Sequence, residues 1–347
     1  MRIAIIGAGA IGGYVGVRLV SAGEDVTFIA RGANLKALRG DGIRLIGADG
    51  KEERIERIAA TDDYRAAGPQ DVVVLAMKAH QVESVAPNVA ALLGPETVIV
   101  PMQNGIPYWY FHGFPGPLAG TRVRSVDPNG TIEQHIPSAR VIGCVVYPAA
   151  ELLAPGVVKH VEGDRFPVGE PDGSSSERVA RVSECFVRGG LKSPVLTDIR
   201  SEIWLKLWGN LTFNPISALS RATLAGICQY PPSRSLAADM MAEAQAIAEK
   251  LGVQFRVPLE KRIAGAERVG HHKTSMLQDV EANRTLEIDA LLGSVVEIAR
   301  LTGTATPHLD TVYALTKLLA KSLAEGYSPG SAHAGDAPAP RGATPAA

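Results

Sequence analysis

The tightest constraint on this chain lies in its first dozen residues. A short apolar run, Arg2–Ile6, leads straight into Gly7-Ala8-Gly9-Ala10-Ile11-Gly12, and the amphipathic stretch Ile11–Ala22 follows. A G-x-G-x-x-G run set between a strand and a helix carries a physical meaning that the same letters lack elsewhere. The first glycine permits a tight turn, the second lets a pyrophosphate approach the backbone, and the third lets the helix press against the strand. Free N–H groups at the helix start then receive the phosphates. Gly7, Gly9, Ala10, Ile11 and Gly12 are therefore the expected cofactor-binding backbone, and the expected ligand is a dinucleotide.

The end of the second apolar run discriminates between dinucleotides. An NAD site usually carries Asp or Glu there, to bind the ribose 2′-hydroxyl. This chain reads Phe28-Ile29-Ala30-Arg31-Gly32, and the nearest acids, Glu24 and Asp25, come before the run is under way. A guanidinium at that point matches a 2′-phosphate. Arg31 thus favours NADPH, although a solvated loop arginine is the plainer reading of the residue alone.

Up to about Gly105 the pattern alternates β-branched runs (Arg2–Ile6, Asp25–Ile29, Asp71–Ala76, Thr97–Pro101) with helix-like segments such as Ile11–Ala22 and Ala33–Leu38. Such alternation reads as βαβ units around a parallel sheet. Short strands and turns from Asp127 to Gly169 read as the closing, partly antiparallel portion of this unit. After Asp198 the character is helical, with apolar residues at helical spacing in Ile199–Phe213, Ser235–Leu251 and Gln278–Leu301. The expected class is α/β: a Rossmann-type NADP-binding domain over 1–198, an all-helical domain over 199–328, and a disordered Pro/Ala/Gly-rich tail over 329–347.

Composition excludes several alternatives. With 35 basic and 36 acidic residues, the net charge of −1 offers no field for a nucleic-acid backbone. Three scattered cysteines, Cys144, Cys185 and Cys228, show no metal-ligand spacing and suit a reducing compartment, so no metal is expected. No apolar stretch reaches the roughly 18 residues of a membrane span. The cytoplasm is the expected location and no membrane partner is expected.

Chemistry-bearing side chains gather in three places. Lys78, in Met77-Lys78-Ala79-His80-Gln81, and Asn104, in Met102-Gln103-Asn104-Gly105, follow strand ends where ligands of open α/β sheets sit. Lys206, Asn210 and Asn214 are spaced by four and form one polar stripe on a helix otherwise rich in Leu and Trp. Asparagine is a poor helix former, so this stripe reads as the lining of a cleft. Ser275 reads as a helix cap with Gln278 as its capping-box partner, and Glu287 as lying three turns further along the same helix. Four consecutive aromatics, Tyr108-Trp109-Tyr110-Phe111, follow Asn104 closely. They could shape a pocket or serve ordinary packing or a subunit contact.

Taken in order, these motifs resemble the ketopantoate reductases from Met1 to about Gly326. The most specific are the Lys-Leu-x-x-Asn-x-x-x-Asn-Pro run at Lys206–Pro215 and Ser275-Met276-Leu277-Gln278-Asp279. The resemblance implies a helical second domain like that of 6-phosphogluconate dehydrogenase, and NADPH-dependent reduction of 2-dehydropantoate to (R)-pantoate in pantothenate biosynthesis. It implies Lys206 as general acid, with Glu287 bonding the substrate hydroxyls or the lysine. Asn210, Asn214 and Ser275 become substrate-binding residues, and Lys78 and Asn104 lie between cofactor and substrate. A homodimer is compatible with it. The chain departs from the family over 106–128 and in Gly143-Cys144-Val145-Val146-Tyr147-Pro148, which leaves open another small 2-oxo acid. A catalytically silent NADP(H)-binding sensor is the alternative of a different class.

Overall fold

The computed structural model describes residues 1–326. The segment expected to be disordered, 329–347, and the last two residues of the expected helical domain lie outside the described residues.

The first seven strands are β1 (Arg2–Ile6), β2 (Asp25–Ile29), β3 (Ile43–Ile46), β4 (Glu52–Ile55), β5 (Ala59–Thr61), β6 (Gln70–Leu75) and β7 (Leu93–Pro101). Five of them form a parallel sheet in the order β5-β2-β1-β6-β7. β1 is central and runs in register with β2 from Arg2↔Asp25 to Ile6↔Ile29. Helices cover both faces, which is why these strands are apolar throughout instead of alternating. Ile3 and Ile5 face one core with α1 (Ala10–Ser21) and α2 (Gly32–Asp41). Ala4 and Ile6 face the other, which continues through α3 (Tyr64–Ala67) and α4 (Ala79–Val89) to the helical half of the chain.

The stretch expected to close the first unit does contain antiparallel strands, but they do not join the main sheet. After α5 (Thr131–His135), β8 (Gly143–Cys144) pairs with β11 (Val168–Gly169). The hairpin β9 (Ala149–Ala154) and β10 (Val157–Glu162) instead builds a second sheet, β4-β3-β10-β9, with strands from early in the chain. α6 (Glu177–Arg188) then packs against β11 and α1.

The helical half comprises α7 (Ile199–Ser220), α8 (Leu224–Gln229), α9 (Pro231–Lys250), α10 (Leu259–Arg268), α11 (Ser275–Glu281), α12 (Ser294–Leu301) and α13 (Pro307–Ala324). α7, with 22 residues, is about 33 Å long and packs against α8, α9, α11 and α13. Its two tryptophans are fully buried with their N–H groups satisfied. Trp204 donates to the Tyr110 hydroxyl at 2.7 Å and Trp208 to the Met241 carbonyl at 2.8 Å.

Two sequence expectations need correction here. The expected helix over Gln278–Leu301 is two pieces: α11 ends at Glu281, Asn283 takes a left-handed φ of 50°, and a π-helical turn at Asp289–Gly293 opens α12. Glu287 therefore stands in the intervening loop and not three turns along a helix. The cap of α11 is Thr274, whose hydroxyl accepts from the Leu277 N–H, and Ser275 is the first helical residue. Thr274 competes successfully because both hydroxyls sit at a chain entry suited to capping, and only one residue can adopt the extended cap backbone. That frees the Ser275 hydroxyl for another partner.

Candidate active site

The glycine-rich turn has the strain and the space its sequence implied. Gly7 sits at φ 97°, a left-handed value favouring glycine, and a Cβ on Gly12 would stand 2.0 Å from the Gly7 carbonyl. Gly9 caps α1 without a side-chain bond, and nothing lies within 4 Å of where its Cβ would be. The start of α1 therefore presents free N–H groups to an open groove. That groove, of about 520 Å³, runs from Gly7, Ala8 and Gly9 to Arg31, Asn34 and Tyr64. Arg31 is exposed at the N-terminus of α2. The groove's carboxylate, Asp62, is ion-paired with Arg39 at 3.5 Å. The donor set thus fits a dinucleotide.

A second cleft of about 690 Å³ continues past Gly9, Ala10 and Ile11 to Lys78, Asn104, Ser275 and Glu287. Of the expected side chains, Lys78, Asn104, Ser275 and Glu287 line this cleft, and Lys206 reaches its edge through Asn104. Lys206 Nζ donates to Asn104 Oδ1 at 2.6 Å and to the Val146 carbonyl. An ammonium has three N–H bonds, so one is left over. Burial lowers the Lys206 pKa to about 8, against the opposing pull of the Glu287 carboxylate. Asn104 is held by its neighbour: the Ile106 N–H bonds the Ala290 carbonyl, and Gly105, at φ 93°, has no room for a Cβ against that same oxygen. The Asn-Gly pair is thus a turn that also aims a side chain.

Glu287 Oε1 accepts the Ala79 N–H at 3.0 Å. Burial raises its pKa, while that hydrogen bond, Lys78 and Lys206 act in the other direction. The Lys206 stripe divides along α7. Lys206 and Asn210 line a small cavity of about 20 Å³ with Asn104 and Trp109, room for about one water molecule. One turn on, buried Asn214 donates to the Ser275 hydroxyl at 3.5 Å, and exposed Ser275 lines the large cleft. The aromatic run resolves mostly into packing. Tyr108, Tyr110 and Phe111 are core residues, and Trp109 alone reaches the small cavity.

Several participants escaped the sequence reading. Lys78 Nζ is ion-paired with buried Asp279, across 201 positions, and Arg284 binds the other carboxylate oxygen at 2.9 Å. Asp279 belongs to the Ser-Met-Leu-Gln-Asp run, so a signal existed, but its partner was invisible without tertiary structure. Gln103 Nε2 bonds the Leu75 and Met77 carbonyls at 2.8 and 3.0 Å and ties down the end of β6. Tyr64 and Asp62 were missed with β5, whose Ala59-Ala60-Thr61 is too short to show a period.

Comparison with known proteins places this geometry in context. Residues 3–173 match the family model described as "Ketopantoate reductase PanE/ApbA", and residues 198–320 match its C-terminal counterpart. A 2-dehydropantoate 2-reductase of Mesorhizobium japonicum is 54% identical over 92% of this chain and 98% of its own length. Another, from Pyrococcus horikoshii, is 30% identical over 91% of this chain and 97% of its own. A solved structure from Ralstonia solanacearum, assigned as a ketopantoate reductase, superposes with a TM-score of 0.88 at 44% identity, covering 93% of this chain and 98% of that one.

Proposed function

The chain belongs to the ketopantoate reductase family of pyridine-nucleotide-dependent oxidoreductases, and from that membership we infer that it reduces 2-dehydropantoate to (R)-pantoate. We propose NADPH as the donor, and a homodimer in the cytoplasm as the setting. The observation that most supports this reading is the Lys206 ammonium, oriented by Asn104 and Val146 with one N–H uncommitted, beside the cleft that the glycine loop opens. The 54% identity to a 2-dehydropantoate 2-reductase favours ketopantoate over another 2-oxo acid or a silent sensor.

In this proposal the first groove and the start of α1 hold the dinucleotide, with Arg31 bonding the 2′-phosphate. When bound, the nicotinamide supplies the hydride that C2 of the substrate receives. Lys206 stabilises the developing charge on the carbonyl oxygen and gives it a proton, so the C=O becomes CH–OH and the lysine is left neutral until solvent reprotonates it. Its lowered pKa brings the acid close to the working pH range, where proton transfer is most effective. Ser275, supported by Asn214, and Asn210 bind the carboxylate end. Glu287, fixed by the Ala79 N–H, accepts from the substrate hydroxyl. Lys78, held by Asp279, and Asn104 keep the junction between cofactor and substrate in shape.

Following absorbance at the nicotinamide band with NADPH and a panel of 2-oxo acids tests the assignment. Ketopantoate is expected to give the highest kcat/KM of the panel. Faster turnover of a different acid would reassign the substrate, and no turnover of any would remove the enzyme reading.

A further inference from the structure

β9 is the outer strand of the second sheet, and its residues Ala150 to Leu153 line the large cleft together with Asn104, Ser275 and Glu287. Leu152 and Leu153 are 43% and 53% exposed. Among the large exposed apolar side chains of the described residues, these two line this cleft. Glu151 lies between Ala150 and these leucines and lines the cleft too, so the cleft meets the strand along its free edge. The pairing is irregular at the leucines. Ala154 pairs with Val157 and Leu152 with Val158, which leaves Leu153 as an extra, bulged residue. A bulge of this kind re-aims side chains and is common beside active sites.

The hairpin is also held firmly against the cofactor loop. The Gly156 N–H in its turn donates to Asn34 Oδ1 at 2.9 Å, and the same Asn34 amide donates to the Ala8 carbonyl inside the glycine-rich run. At its other end, His160 of β10 stacks on Tyr14 of α1 with ring centroids 4.4 Å apart. The leucines are thus exposed on a fixed support instead of a free loop, the arrangement a selective wall requires.

We propose that Leu152 and Leu153 form the apolar wall that receives the branched carbon beside the substrate's carbonyl, and so select 2-oxo acids that are branched at C3. The inference rests on the function proposed above. Ketopantoate presents a carboxylate, a ketone and a hydroxyl, for which Ser275, Lys206 and Glu287 are the assigned partners. Its two methyl groups on C3 have no use for those partners and need apolar surface. The bulged pair supplies such surface in the same cleft, and it is made of side chains that water leaves unsatisfied until a ligand covers them.

The double variant Leu152→Ser/Leu153→Ser, changing two exposed positions, tests this with NADPH saturating. kcat/KM for ketopantoate is expected to fall roughly tenfold or more, the scale on which apolar pockets discriminate methyl groups. For 4-hydroxy-2-oxobutanoate, which lacks both methyls, the change is expected to stay within about twofold, and NADPH affinity by fluorescence titration is expected to be unaltered. An equal fall for both acids overturns the wall, as does an unchanged ratio accompanied by weaker NADPH binding, which would assign the leucines to the nicotinamide. Wild-type turnover of ketopantoate judges the activity separately. If that fails, comparing 2-oxoisovalerate with 2-oxobutanoate still decides whether the leucines read branching.

Discussion

The glycine-rich turn and the Lys206 cluster solve the problem of binding in opposite ways. From Gly7 to Gly12 the groove is made of backbone: a left-handed residue, a carbonyl packed against a missing Cβ, and the bare start of α1. This part is contiguous, and side chains enter it mainly by being absent. The Lys206 cluster gathers side chains from the end of β7, from α7 and from the loop before α12, with one backbone carbonyl from the segment before β9. Its geometry exists only once both halves of the chain have packed. A backbone site should therefore respond to changes of size and phosphate-binding charge through affinity, and a side-chain site to changes of chemistry through turnover.

The sharpest way to break that contrast is Lys206→Ala. Loss of a positioned general acid is expected to lower kcat by roughly 10²–10⁴-fold. NADPH binding is expected to stay within a factor of about two, since the groove is built from other residues. Single-turnover and titration measurements on the same preparation would show the split, and a large loss of cofactor affinity would mean that the two sites are one.

Arg31→Ala probes the groove's side-chain contribution. A charge-assisted bond to phosphate contributes roughly 1.5–3 kcal/mol, so NADPH affinity is expected to drop at least about tenfold with NADH almost unaffected. Equal effects on the two nucleotides would assign Arg31 to general electrostatics, and no effect would leave the 2′-phosphate to other groups. Asp62 does not spoil the site in this reading because Arg39 already pairs with it.

A pH profile sharpens the comparison with a smaller effect. Lys206 acts in its protonated form, and burial lowers its pKa to about 8. Turnover is therefore expected to be full below that value and to fall as pH rises through it, by roughly tenfold at one unit beyond. NADPH affinity is expected to stay flat between about pH 7 and 9, because Lys206 takes no part in the groove that binds the nucleotide. A flat kcat profile over that window would argue against Lys206 as the proton source.

Much of this molecule could be read in advance, and the residues show why. Arg2–Ile6 with the glycine run predicted β1 and α1 almost to the residue, because a buried parallel strand is apolar throughout and the turn after it needs glycine. The spacing of Lys206, Asn210 and Asn214 placed them on one helix face for the same reason: helical geometry is local. Ser275 and Glu287 were read on one helix and stand on two elements. Helical periodicity continues through Asn283 in the sequence, and the asparagine itself, a residue that tolerates a left-handed backbone, is the one local sign of the break.

The amino-acid sequence by itself determined the α/β beginning and helical end, the phosphate-binding turn, and the kinds of side chain available for reduction. These depend on periods and contacts within a few residues of one another. Only the tertiary structure decided that Asp279 holds Lys78, that β9 and β10 join β3 and β4 instead of the main sheet, and that β9, bulged at Leu153, lines the large cleft. Each of these joins residues far apart in the chain, or depends on a one-residue slip in pairing. Such a slip reverses the side a strand shows without altering any property that local sequence can report.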